Sequence, residues 1–471
     1  MSDTTCRAQF TAADIAAACG GRPVSGPTEV AARGVSTDSR TIQPGQAFVA
    51  LHGERHDGHT FVPDALRKGA SVAVVDRVEP GWNADDATLV EVEDTGDALL
   101  NLARLHRDRL NAAVAGVTGS CGKSTIKNML AAILGQEGPC TAAPSSFNNR
   151  VGVPLTLLDA DVNDRFVVCE MGANAPGEID ELAACARPDG AIVSCIGDCH
   201  LEGFGGREGV RDAKGEIVPY ITDGGTLVLN RDDELCMTLK ERHAGPVRTF
   251  GFTDDASVTP RALERRDGSW VFRARGETFH LSAPGRYNVA NAAAAMTLAL
   301  SMGCGMEAVK EGLAQVSLPP MRYDTSEICG VTIVEDCYNS NPTAARAAVD
   351  AFLDEPVAGR RAVVFGDMLE LGQRAAELHR DMGEFLAKCD IQLLIAVGQH
   401  GRDVLDGWNR VASASRQAMH FREAEKAWKP IWDELEAGDG VLLKGSRKVG
   451  LERIVNRIQE YVRNADTGAA A

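Results

Sequence analysis

Three observations make this an α/β chain of three domains. Short apolar runs alternate with helical stretches along almost the whole length, the pattern of parallel strands joined by crossover helices. The 471 residues are enough for about three cores. A strand–glycine turn–helix unit, AAVAGVTGSCGKST followed by IKNMLAAIL, marks one of those domains as a phosphate binder.

The first domain, residues 1–110, is expected to be a small α/β unit built on the runs QAFVAL, ASVAVV and ATLVEV. The second, residues 111–319, carries AAVAGV, FVVCEM, GAIVSCI and GTLVLN between helices, which predicts a P-loop ATPase-like domain with a mainly parallel sheet. Pro319 and Pro320 mark a hinge. Residues 320–471 repeat the alternation with VTIVED, AVVFGD, QLLIAVG and GVLLKGS and are expected to be Rossmann-like. The tail NADTGAAA is expected to be disordered.

The net charge of −17, with no long basic run, argues against a nucleic-acid partner. An acidic chain that binds a polyanion must place its cations locally. The N-terminal residues lack a basic-then-apolar signal pattern and no apolar run reaches spanning length, so a cytoplasmic protein without a membrane partner is expected. The 13 cysteines are scattered, as reduced thiols would be. Cys195, Cys199 and His200 lie close together, but no second pair has zinc-site spacing.

Chemistry concentrates after the apolar strands of the middle domain. Backbone N–H groups of the loop Gly119–Ser120–Cys121–Gly122 and of the following helix can cradle phosphates. Lys123 supplies a point charge for the β- and γ-phosphates, and the Ser124 hydroxyl can ligate Mg²⁺. Val117 stands where the strict motif has its first glycine. Glu170 ends the run FVVCE, where ligands of parallel sheets gather, and is placed to hold Mg²⁺. His200, just beyond GAIVSCI, converges on the same crevice and could bind a second metal ion or a phosphate. Lys214 reads as either a surface helix lysine or a site residue. Asn148 and Asn149 could be turn residues only.

The segments TGSCGKST, NNRVGVPLTLL, EMGANAPGEI, HLEGFGGREGVRDAKGEI, GRYNVANA, MRYD, EDCYNSNP, FGDMLELG and LLKGSRKVGLE occur in one order. In that order they resemble the ATP-dependent Mur ligases of peptidoglycan assembly. EDCYNSNP, GDMLELG and KGSR resemble the branch that adds D-Ala-D-Ala, and the DNPR-type segment of the diaminopimelate- or lysine-adding branch is missing. A folylpolyglutamate synthase would share the P-loop but lack GDMLELG and YNSNP. A P-loop switch protein would have no use for Glu170, His200, Lys214 and Arg322 together.

The resemblance implies ATP, two Mg²⁺ ions, UDP-MurNAc-tripeptide and D-Ala-D-Ala as ligands of a monomeric enzyme. It implies that Gly119, Ser120, Cys121, Gly122, Lys123, Ser124 and Thr125 bind the nucleotide. Metal falls to Ser124, Glu170 and His200, and Lys214 is a candidate for a carbamate. Lys123, Glu170, His200 and Lys214 form the catalytic set. Asn291 would contact adenine and Arg322 the phosphates, while Asp336 and Asn339 would line the nucleotide site from the third domain. Asn148 and Asn149 match the segment facing the uridine-linked substrate. Ser39 and Arg40, with Gly53 and the DGHTF segment, match the region holding its UDP end. Lys444, Ser446 and Arg447 would face the dipeptide, and Asp367 and Glu370 the substrate cleft. Two positions depart from the family. Tyr287 stands where it often has His, which keeps a ring but no imidazole. Cys121 replaces a commoner small or polar residue and adds a thiol to the loop.

Overall fold

A computed structural model describes residues 8–53, 56–82, 87–266, 269–318 and 320–468. Its centre is a six-stranded, wholly parallel sheet. The spatial order is Val247–Phe250, Thr226–Asn230, Gly190–Val193, Ala113–Thr118, Phe166–Glu170 and Cys140–Ala142. Alternate residues of Ala113–Thr118 serve opposite faces, as the two-residue strand period requires. Ala115 and Val117 pack under the helices Lys123–Gly135 and Arg286–Ser301, while Val114 joins the core on the other side. Both faces are covered, which is why these strands read as continuous apolar runs.

The chain enters this sheet in the middle. From Ala113–Thr118 it crosses to one side and later returns to pair Gly190–Val193 on the other. That reversal leaves a crevice at the carboxyl ends of three adjacent strands. The phosphate loop, Glu170 and the segment leading to His200 all emerge there.

The N-terminal sheet has five strands in the order Arg22–Ser25, Thr88–Glu91, Val72–Val75, Ala47–Val49, Val35–Ser36, with only the first antiparallel to its neighbour. Helix Thr95–Arg109 follows it and packs on helices Gly152–Asp159 and Glu178–Ala186 of the central unit. One apolar core therefore runs across both parts.

The C-terminal sheet orders Asp324–Ile328, Val331–Asp336, Gly440–Lys444, Arg361–Gly366, Leu393–Val397 and Gln417–Phe421. All pair in parallel except the edge hairpin at Asp324–Ile328. That hairpin sets Asp324 opposite Glu335, and like charges across a strand pair repel. Burial first, then Asp324 and Glu452, pushes the Glu335 carboxyl up to about 7. A carboxyl raised on folding takes up a proton, so its penalty is absent below about pH 4.5 and grows as pH rises toward 7. Glu335→Gln should raise the thermal midpoint at pH 8 by the equivalent of about 1–2 kcal/mol, discounted for partial exposure, and change little at pH 4.5. Melting curves at the two pH values test this.

Two expectations change. A three-stranded antiparallel sheet, Arg261–Arg266, Ser269–Ala274 and Glu277–Leu281, interrupts the expected βα alternation. Its second hairpin turns at Arg275–Gly276, both at positive φ, the geometry of a tight two-residue turn. The tail is also not wholly irregular. The last helix, Glu452–Gly468, takes in the first five residues of NADTGAAA, and the final three lie outside the described residues. Of the expected hinge, Pro319 lies outside them too. Just past Pro320, Met321 and Tyr323 both hold φ near +60°. Side-chain-bearing residues rarely adopt that conformation, which costs roughly 1–3 kcal/mol at each position. Strain is thus concentrated on either side of Arg322.

Candidate active site

The phosphate loop owes its shape to close approach. A Cβ on Gly119 (φ 136°) would fall 2.0 Å from Ser194 Oγ, and one on Gly122 (φ 80°) would fall 2.6 Å from Asn291 Oδ1. Gly122 also begins helix Lys123–Gly135 without any side-chain cap. The first-turn N–H groups are therefore left for an anion. Lys123 Nζ donates to Gly119 O at 2.8 Å, holding the ammonium over the loop. Asn291 borders the same loop and donates to Asn288 Oδ1.

The loop borders a cavity of about 320 Å³ whose walls include Ser120–Thr125, Asn148, Asn149, Glu170 and His200. Tyr287, Asn291, Arg322, Asp336, Asn339 and Lys444 complete the part used below. Glu170 is 1% exposed. Its Oε1 accepts from Asn148 Nδ2 at 2.8 Å, and its Oε2 has no hydrogen-bond partner among the described residues. A buried carboxylate oxygen left open in the cavity that the Ser124 hydroxyl also lines fits a hard divalent cation. His200 sits in the left-handed region (φ 48°) and pairs with Glu370, itself at φ 64°. Burial lowers the His200 imidazole despite the opposing pull of Glu370, and a neutral ring is the form that binds metal.

Lys214 is not a surface lysine. It is 1% exposed, with Nζ 3.4 Å from Ala173 O and 5.3 Å from the Phe204 ring centre, just behind the cavity wall. Burial, and secondarily Lys123, holds its amine down to about 8.

The third domain closes the cavity. Arg322 Nη2 donates to Ser124 Oγ at 3.0 Å, and its guanidinium lies 4.5 Å from the Tyr338 ring centre. Asn341 Nδ2 reaches Ser120 O at 3.4 Å. Lys444, 2% exposed at its side chain, pairs with Asp336 at 3.0 Å and donates to Asn339 O at 2.6 Å. A nearly buried ammonium held by a carboxylate and a carbonyl fixes the rim from which Asp336 and Asn339 line the cavity.

Other expected residues stand elsewhere or are already engaged. Asn149 Oδ1 accepts from the amides of Val151 and Gly152 and so starts helix Gly152–Asp159. Ser39 and Arg40 lie apart from the cavity in the N-terminal unit, where Arg40 pairs with Asp38. Asp367 caps the amides of Gln399 and His400. Ser446 Oγ accepts from Leu369 N, and Arg447 pairs with Glu452, both outside the cavity lining.

Sequence analysis missed Lys127, Ser146 and Asn341. Lys127 is 1% exposed and donates to Ala143 O and Ser145 O, fixing the turn that sets Ser146 Oγ 2.9 Å from Ser124 Oγ. A lysine on the buried face of the helix, one turn after Ser124, was the available signal.

This fold and site define a phosphate-loop enzyme whose nucleotide crevice is completed by a second α/β unit. Three family models match in succession: "Mur ligase family, catalytic domain" over residues 32–107, "Mur ligase middle domain" over 117–299 and "Mur ligase, glutamate ligase domain" over 321–447. The UDP-N-acetylmuramoyl-tripeptide–D-alanyl-D-alanine ligase of Bacillus subtilis is 33% identical over 430 residues, 91% of this chain and 93% of its own length. The Escherichia coli ligase of the same name is 33% identical over 437 residues, 90% and 93% of the two chains. A crystal structure of MurF from Acinetobacter baumannii matches with a TM-score of 0.87 at 30% identity, covering 97% of this chain and 100% of that one. MurF ligase from Thermotoga maritima in complex with ADP matches at 0.80 and 28% identity, covering 92% and 98%. The chain belongs to the Mur ligase family.

Proposed function

We propose that this protein uses ATP to join D-alanyl-D-alanine to UDP-N-acetylmuramoyl-tripeptide, forming the pentapeptide precursor of peptidoglycan. The relatives that match over nine-tenths of the chain carry that activity in their names. The observation that carries the reading is the Arg322–Ser124 hydrogen bond, which joins the third domain to the phosphate loop. In a ligase the acid, the amine and the triphosphate must meet with water excluded. The division of labour follows residues 1–110 for the UDP end, 111–319 for ATP and 320–471 for closure and the dipeptide.

Lys123, the loop amides and Arg322 bind the phosphates and offset repulsion as the tripeptide carboxylate attacks the γ-phosphorus. ADP leaves and an acyl phosphate forms. The dipeptide amine then attacks the carbonyl and expels phosphate. Ser124 and Glu170 would hold Mg²⁺ and His200 a second ion, which would supply charge neutralisation to the phosphates. Asn148 orients Glu170, and Tyr287 packs at the nucleotide edge. No helix among the described residues is long and apolar enough to cross a membrane. The reading places the enzyme in the cytoplasm as a monomer. The test is the product. ATP, Mg²⁺ and both substrates should give the pentapeptide by mass, and omission of D-Ala-D-Ala should abolish it. ATP hydrolysis at an equal rate without either substrate would favour a switch protein.

Lys214 would carry a carbamate, which turns a cation into an oxygen donor and an anion. Only the neutral amine reacts with CO₂, so at fixed dissolved CO₂ the occupancy should rise as pH passes about 8, the value to which burial holds this amine. A ¹³C resonance from labelled CO₂ that grows between pH 7 and 9, and is absent in Lys214→Arg, is the expected result.

A further inference from the structure

Cys121, in the phosphate loop, and Cys195, just after strand Gly190–Val193, bring their sulfurs to 2.9 Å. Both are half-buried, and Cys121 faces the nucleotide cavity. The geometry points to a reversible disulfide between Cys121 and Cys195 that forms with a peroxide as oxidant and switches off nucleotide binding.

The loop and the strand end are already bonded to each other, Ser120 N donating to Cys195 O and Ser194 Oγ to Cys121 O. Around Cys195, Ser194 N donates to Thr118 O, Asn230 Nδ2 to Ser194 O and Ile196 N to Asp233 Oδ2. Cys121 is followed by Gly122 at φ 80°, and glycine can rotate where other residues cannot. Closing the sulfurs to a bond of about 2.05 Å draws the loop against the strand end. The amides of Cys121 and Gly122 belong to the phosphate cradle, so the bridge reshapes the surface that receives the anion. A bound triphosphate opposes the same movement.

Either sulfur can donate in this contact, and the one that accepts is favoured as the thiolate. When Cys195 is that thiolate, its sulfur takes one oxygen from the peroxide, the O–O bond breaks and hydroxide leaves. Cys121 sulfur then attacks Cys195 sulfur, the S–O bond breaks, and water departs with the Cys121 proton. Two thiols lose two electrons and the peroxide gains them. Thiol reductants reverse the bond by exchange.

The test uses the full-length protein with hydrogen peroxide and a fluorescent ATP analogue, so it does not depend on which acid or amine is ligated. Stoichiometric peroxide should produce a Cys121–Cys195 linked peptide in a non-reducing map and weaken nucleotide affinity at least tenfold, with recovery in dithiothreitol. Saturating ATP should slow bridge formation. Cys195→Ser should bind the nucleotide like the reduced protein and lose the peroxide response, and Cys195→Ala serves if the serine variant does not fold. A map without that linked peptide, an unchanged bridging rate under ATP, or a Cys195 variant as sensitive as the parent would overturn the proposal.

Discussion

Lys123→Ala should lower ATP turnover at least ~1000-fold, a loss of about 4 kcal/mol of transition-state stabilisation. The chain carries a net charge of −17, and the cavity also admits a triphosphate, a carboxylate and the Glu170 side chain. Lys123 is the cation held over the loop itself, by its hydrogen bond to Gly119 O. The hydroxyl and carboxylate that would bind metal are untouched by the change, so Mg²⁺ cannot substitute for the missing charge at that point. Lys123→Arg should rescue little, because the loop encloses a compact ammonium and a planar guanidinium has a different reach. Steady-state phosphate release on all three proteins, with circular dichroism to confirm folding, checks the prediction.

Arg322→Ala should lower kcat about 100-fold while leaving the affinity of the open enzyme for ATP within a fewfold of the parent. Arg322 comes from the third domain and donates across to Ser124 Oγ of the phosphate loop. The strained residues on either side of it, Met321 and Tyr323, show that the chain is bent to deliver this side chain. Its loss removes charge from the phosphates in the closed state and one tie that holds closure. Arg322→Lys should recover only part of the rate, since a lysine can restore the charge but neither the fork nor the stacking on Tyr338. The split between kcat and nucleotide affinity is the decisive readout. An equal loss in both would make Arg322 an ordinary binding residue of the open site.

Much of this was legible in the sequence because it follows local rules. The phosphate loop showed itself through glycines, lysine and serine between a strand and a helix, and Glu170 through its place at a strand end. What sequence could not supply was pairing across the chain. Nothing near Asn148 announces that its amide holds Glu170. Nothing near His200 announces Glu370, which lies 170 residues on. Lys214 was ambiguous because helix Arg207–Gly215 is otherwise strongly charged, and only the packing of Phe204 and Ala173 shows the lysine buried. Asp367 was assigned to the substrate cleft through its place in the GDMLELG segment, and nothing in that segment announces that its two oxygens accept from the amides of Gln399 and His400. The antiparallel sheet at residues 261–281 was missed because its alternating pattern, WVFRARGETFHL, sits within a longer run of βα units.

Oxygen transfer tests the central claim most directly, namely that the carboxylate is activated by phosphoryl transfer in a cavity closed by the third domain. Tripeptide substrate labelled with ¹⁸O in its terminal carboxylate is turned over with ATP and D-Ala-D-Ala, and the released phosphate is weighed. The account predicts one ¹⁸O in each phosphate from the parent enzyme, at a rate that falls with Arg322→Ala. Pentapeptide formed with unlabelled phosphate would contradict it.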